Sequence, residues 1–122
     1  MSNRNIALGS WGESIASGYL LEKGYTILER NHRTEYGEID LIAEYNGVII
    51  FVEVKTRTGR SFGHPEEAIT PQKTLHMIES AQAFLQEGPQ NTQEWRIDVI
   101  AIYRKKSSDS PEISHFENAV QG

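Results

Sequence analysis

The 122-residue chain contains no cysteine. That excludes disulfide staples, thiolate metal centres and a cysteine nucleophile, and it fits a reducing compartment. Long apolar runs are missing too: the longest, VIIFV at 48–52, falls far short of the roughly 18 residues of a membrane span. The opening residues, MSNRNIALGSWGES, lack the apolar core of a signal peptide. A cytoplasmic protein with no membrane association is therefore expected. Positive charge is in deficit, with 12 Lys plus Arg against 17 Asp plus Glu and a net charge of −5, which weighs against a protein that coats nucleic acid electrostatically. The bases present cluster at Lys55, Arg57 and Arg60 and again at Arg104, Lys105 and Lys106. A site built of acids would also add negative charge that a cation cancels. No internal repeat or low-complexity segment divides the chain, and its length suits one domain over residues 1–122 that buries roughly two thirds of its unfolded surface.

Apolar spacing gives the elements. Leu8, Trp11, Ile15 and Tyr19 recur at helical intervals between Asn5 and Lys23, and Gly24 stands where a left-handed residue ends a helix. Residues 25–33 (YTILERNHR) read as a strand, followed by two more in the stretch 37–57, GEIDLIAEYNGVIIFVEVKTR. These three should be antiparallel neighbours. A Gly-, Ser- and Pro-bearing loop at 58–69 leads to Thr70-Pro71, an N-cap and first-turn proline for a second helix that buries Leu75, Ile78, Ala81 and Leu85 and stops at Gly88-Pro89. WRIDVIAIY at 95–103 is apolar enough for an interior strand covered on both faces, and a polar linker precedes a short last strand near Ile113 to Phe116. The order α-β-β-β-α-β-β predicts an α/β fold, a central mixed β-sheet flanked by helices.

The hairpin carries an anomaly. Asn46-Gly47 between β-rich arms signals a two-residue type I′ turn, which sets Tyr45 opposite Val48, Ala43 opposite Ile50 and Leu41 opposite Val52. Counting on, Asp40 faces Glu53 and Glu38 faces Lys55, all on one side of the sheet. Opposed carboxylates repel, increasingly as water is excluded. A shared proton, the nearby Lys55 or a divalent cation would each compensate.

Asp40, twelve intervening residues and then Glu53-Val54-Lys55 resembles the PD-(D/E)xK nuclease signature, with Ile39 where a proline often stands. Glu13, beside Gly9, Ala16 and Leu20 on the first helix, leans toward the sheet. GSWGESIA at 9–16, RNHRTEYGEIDLIA at 30–43, IIFVEVKTR at 49–57, FGHPEEAI at 62–69 and WRIDVIAI at 95–102 resemble the bacterial YraN family of predicted nucleases over nearly the whole chain. The resemblance implies a restriction-endonuclease-like fold, similar to archaeal Holliday junction resolvases. It also implies a metal-dependent endonuclease acting on DNA, branched or otherwise structured.

Phosphodiester hydrolysis requires neutralised phosphoryl charge, an activated water and a stabilised leaving oxygen. Asp40 and Glu53 would hold Mg²⁺ or Mn²⁺, with Glu13 as a third ligand, direct or through water. Lys55 would orient the water and stabilise developing charge. Arg57, on the same face, is a candidate phosphate contact. So is Lys73, since a cation at the third position of a helix needs an anion beside it. Glu38 is expected to support Lys55 or solvate its strand, and Asp98 to be a paired structural acid. The four histidines show no ligand spacing, and Trp11 and Trp95 read as core. A homodimer, by analogy with junction resolvases, and a recruiting protein partner are further expectations. Two other functions fit the same residues: a non-catalytic module that binds nucleic acid or protein through the cleft, and a phosphodiesterase acting on small nucleotides.

Overall fold

The structure is a computed structural model that describes residues 3–58, 70–88, 93–104 and 110–120, with side chains from Leu8 onward. Of the loop expected at 58–69, Thr58 instead ends a strand, while residues 59–69, Pro89 and the basic residues Arg60, Lys105 and Lys106 lie outside the described residues. The elements run α1 (Asn3–Glu22), β1 (Thr26–Thr34), β2 (Gly37–Tyr45), β3 (Val48–Thr58), α2 (Pro71–Gln86), β4 (Trp95–Arg104) and β5 (Glu112–Val120). The order is the one expected. The last strand is longer than the four residues foreseen.

The five strands form one sheet in the order β1-β2-β3-β4-β5. β1, β2 and β3 are antiparallel neighbours, β3 and β4 are parallel across the α2 crossover, and β5 returns antiparallel to β4. Asn46 and Gly47 take φ of +51° and +79°. This turn sets the pairing Tyr45↔Val48 through Leu41↔Val52 as the sequence requires. The ladder stops there, one step short of Asp40 opposite Glu53.

Each face of the sheet is covered by one helix. On the α1 face, Ala16 and Leu20 pack on Leu41, Ile50, Val52 and Ile100. On the α2 face, Ala81 and Leu85 pack on Ile42, Phe51 and Ile97. The innermost line of α1 is displaced from the expected stripe, with Gly12, Ala16 and Leu20 buried and Trp11, Ile15 and Tyr19 flanking them half-buried. Gly12 allows this close approach, since a side chain there would overlap the Thr56 hydroxyl of β3. Gly24, φ +94°, ends the helix as foreseen, with the Tyr25 N–H returning to the Leu20 carbonyl at 3.0 Å. In α2, Thr70 caps the helix by accepting from the Lys73 N–H at 3.1 Å, and Pro71 follows. Leu75 is a correction: it points outward, 55% exposed, and Ser80 takes a buried place instead. Among the described residues, no helix is long and apolar enough to cross a membrane.

Candidate metal centre and adjoining cleft

β2 and β3 part beyond Leu41↔Val52, and Asp40 fills the fork. The Val54 N–H, which a continued ladder would give to a carbonyl, donates instead to Asp40 Oδ2 at 2.8 Å. Burial is the main force acting on this carboxyl, followed by the charge of Glu53. Together they outweigh the Val54 hydrogen bond and push its pKa up to about 8.

Glu13 reaches the same fork from α1, where the tight Gly12–Thr56 contact brings the helix close. Asn31 of β1 fixes it, donating Nδ2–H to Glu13 Oε1 at 3.1 Å, while the preceding Arg30 donates to Ser14 Oγ at 3.3 Å. Consecutive residues of a regular strand face opposite ways. Both reach α1 because Asn31 adopts φ +54°, a left-handed conformation that asparagine tolerates. Burial raises the Glu13 pKa, opposed by Arg30 and aided by Glu38 and Glu53.

Among the described residues, Glu13, Glu38 and Asp40 form a group of possible metal ligands in which one carboxylate oxygen from each lies within 4.8 Å of the others. Glu38 occupies the place that sequence reasoning assigned to Glu53. It is exposed, and its other contact is an ion pair with Arg33 at 3.2 Å, not Lys55. Glu53 is buried, and a single oxygen, Oε1, meets Lys73 Nζ at 2.6 Å and Lys55 Nζ at 3.2 Å. The anion that the position of Lys73 calls for is therefore present in the chain. Burial lowers the Lys55 pKa, and the adjoining Lys73 lowers it further against the pull of Glu53. Lys73 shifts up, since its contacts with Glu53 and Lys55 overcome the cost of burial. Arg57 Nη1 donates to the Thr56 carbonyl at 3.0 Å, and Arg57 is absent from the cleft described next.

A cleft of about 450 Å³ opens between α2 and the fork, with Asp40, Glu53 and Lys73 in its wall. Sequence reasoning missed this cleft and the role of Asn31. An asparagine inside a strand was the available signal for the latter, because a strand disfavours it unless the backbone turns.

Asp98 is a paired structural acid, as expected. It is fully buried and accepts from Arg96 Nε at 3.0 Å and the Asn118 N–H at 2.9 Å, and its Oδ2 lies 2.7 Å from His115 Nε2. Burial alone would raise its pKa, but the hydrogen bonds from His115, Arg96 and Asn118 hold it below the ordinary carboxylate range.

Three similar proteins cover nearly the whole chain. A protein from Syntrophotalea carbinolica is 44% identical over 119 residues, covering 98% of this chain and 95% of its own length. One from Syntrophomonas wolfei is 45% identical over 115 residues, 94% of this chain and 98% of its own. One from Roseiflexus castenholzii is 42% identical over 123 residues, 99% and 98%. All three are named as UPF0102 proteins. The model of that family matches residues 12–102, a span that begins at the glycine seating α1 and contains Glu13, Asn31, Glu38, Asp40, Glu53, Lys55 and Lys73. The chain belongs to the uncharacterised protein family UPF0102.

Proposed function

We propose that the protein is a divalent-metal-dependent nuclease that hydrolyses phosphodiester bonds in DNA, with branched or structured DNA as its substrate. The observation that carries this reading is the meeting of three carboxylates at the β2–β3 fork, with Asp40 held at a pKa of about 8. Such a group is costly without a cation, and an all-oxygen donor set suits Mg²⁺ or Mn²⁺. Glu13, Glu38 and Asp40 would hold the ion. Glu53 could join them once its lysines engage a substrate phosphate. The ion would supply charge neutralisation at the phosphoryl group and acidify a bound water.

The remaining roles belong to the chain. Lys55, held below the usual lysine range, suits removal of a proton from the attacking water at Nζ. Lys73, on the first turn of α2 and lining the cleft, would exchange its contact with Glu53 for a phosphate oxygen. The net charge of −5 fits a small phosphate footprint, with a second copy or a recruiting protein supplying the rest.

Calorimetric titration with Mn²⁺ tests the reading. Saturable binding is expected in the wild type and its loss in Asp40→Asn, together with Mn²⁺-dependent cleavage of a branched DNA that Lys55→Met abolishes. No Mn²⁺ binding, either alone or with branched DNA present, would overturn it. The double lysine contact to Glu53 Oε1 favours a second reading, a non-catalytic DNA-binding module whose acids are neutralised internally. That reading requires tight DNA binding without metal that survives Asp40→Asn.

A further inference from the structure

We propose that the cleft beside the acids receives one unstacked nucleotide of a DNA strand, so that the substrate must present unpaired nucleotides next to the scissile phosphate. This rests on the nuclease reading and specifies its substrate. The floor of the cleft is apolar. Ile39, Phe51 and Ile97 line it, with Met77 of α2 as a side wall. Phe51 is packed edge-on between Phe84 and Trp95, at ring distances of 5.7 and 5.8 Å, which orients its ring. The phosphate-sugar backbone is polar and charged, and it gains nothing from an apolar floor. A base stacked in duplex presents only its edge to a protein groove. An unstacked base is the part of a nucleic acid with an apolar face to bury.

The size and polar groups agree. A cleft of about 450 Å³ lies within the range of small-molecule sites. Two of the hydroxyls that line it are already used, since Ser80 Oγ lies 3.0 Å from Thr34 Oγ1 and Thr70 Oγ1 accepts from the Lys73 N–H. Gln72 and His76 also line the cleft, and their side chains have no hydrogen-bond partner among the described residues. An amide and an imidazole can each both donate and accept, which suits the mixed edge of a base. Tyr36, 38% exposed, lines the cleft as well and offers a ring for stacking. Asp40, Glu53 and Lys73 share the same cleft, so a nucleotide within it would hold its phosphate against the charged groups.

The test uses short duplexes that are blunt or carry an overhang, with a fluorescent adenine analogue at the first unpaired position, titrated with the full chain in Ca²⁺. Saturable fluorescence change is expected with the overhang and about tenfold weaker binding with the blunt duplex. Met77→Trp, which fills the cleft, should weaken overhang binding by about tenfold, and Gln72→Ala, an exposed change that cannot unfold the helix, by a smaller factor. Mn²⁺ affinity, measured separately, should be the same in all three proteins. Equal affinity for blunt and overhang DNA, or unaltered binding by both variants, would overturn the proposal while leaving the metal site intact. Absence of Mn²⁺ binding would instead overturn the nuclease reading. Thymidine monophosphate serves as competitor, and weak displacement at millimolar concentration is expected. Competition as strong as the overhang itself would overturn the assignment to a strand.

Discussion

Asp40 is the residue on which the site turns, and its ionisation makes a stability prediction. Its folded pKa of about 8 lies above the ordinary 3.8, so the unfolded chain binds fewer protons than the folded one between these values. The contribution of Asp40 to stability is greatest below the ordinary value and declines as pH rises through about 8. Asparagine cannot ionise and keeps an oxygen for the Val54 N–H. In metal-free buffer Asp40→Asn should therefore match the wild type near pH 4 and exceed it at pH 9 by about 2–5 kcal/mol in urea unfolding. A difference between the two proteins that is the same at both pH values would refute the raised pKa. The nearness of Asp40, Glu53 and Lys55 was legible in the sequence, because acids and a lysine at a fixed spacing on paired arms mark it. The group of possible ligands, however, takes Glu38 where Glu53 was expected. Asn31 was missed, because its contribution is a backbone conformation that the sequence signals only through an asparagine inside a strand. Glu38 was legible only as a strand acid, since the step of the ladder that would have set it opposite Lys55 is not made.

At the scale of elements, the site depends on how closely α1 lies on β3. A methyl group at Gly12 would collide with the Thr56 side chain and lift the helix, carrying Glu13 away from Asp40. Gly12→Ala should cost about 1–3 kcal/mol and weaken Mn²⁺ binding, and adding Thr56→Ala should recover part of both losses. Additive losses in that double-mutant cycle would separate the contact from the proposed metal site. The type I′ turn made the hairpin register readable from sequence, since it fixes the count from Tyr45↔Val48 inward to Leu41↔Val52. The fork was unreadable, because local turn geometry ceases to govern where a buried side chain captures a backbone donor. Leu75 was misplaced for a related reason. Helical periodicity gives the stripe, but the tertiary contact decides which edge of it turns inward, and Ser80 with its Thr34 partner takes that edge.

For the whole molecule, the Asp98 cluster ties the inner strand β4 to β5 through His115 and Asn118, and to the start of β1 through Arg96, which donates to the Tyr25 hydroxyl at 3.0 Å. Removing the charge leaves buried partners unmatched, so Asp98→Asn should lose about 3 kcal/mol at neutral pH in urea unfolding. The folded pKa lies below 3.8, so the contribution of Asp98 is present above that value and is lost as pH falls through the lowered one. The gap between the two proteins should narrow below pH 4, and Mn²⁺ binding to the folded variant should be unchanged. A constant gap down to pH 2 would show that the carboxylate charge is not what matters.

Asp40 and Asp98 share one more arrangement. Each lies across from an asparagine with positive φ on an outermost strand, Asn31 at +54° on β1 and Asn118 at +52° on β5. An incoming strand needs an unbroken row of outward N–H and C=O groups, and both borders of this sheet are dented where an acid is seated. Edge-to-edge pairing of two sheets is therefore disfavoured, and concentrated solutions should resist fibrillar growth because neither border offers an unbroken template for it.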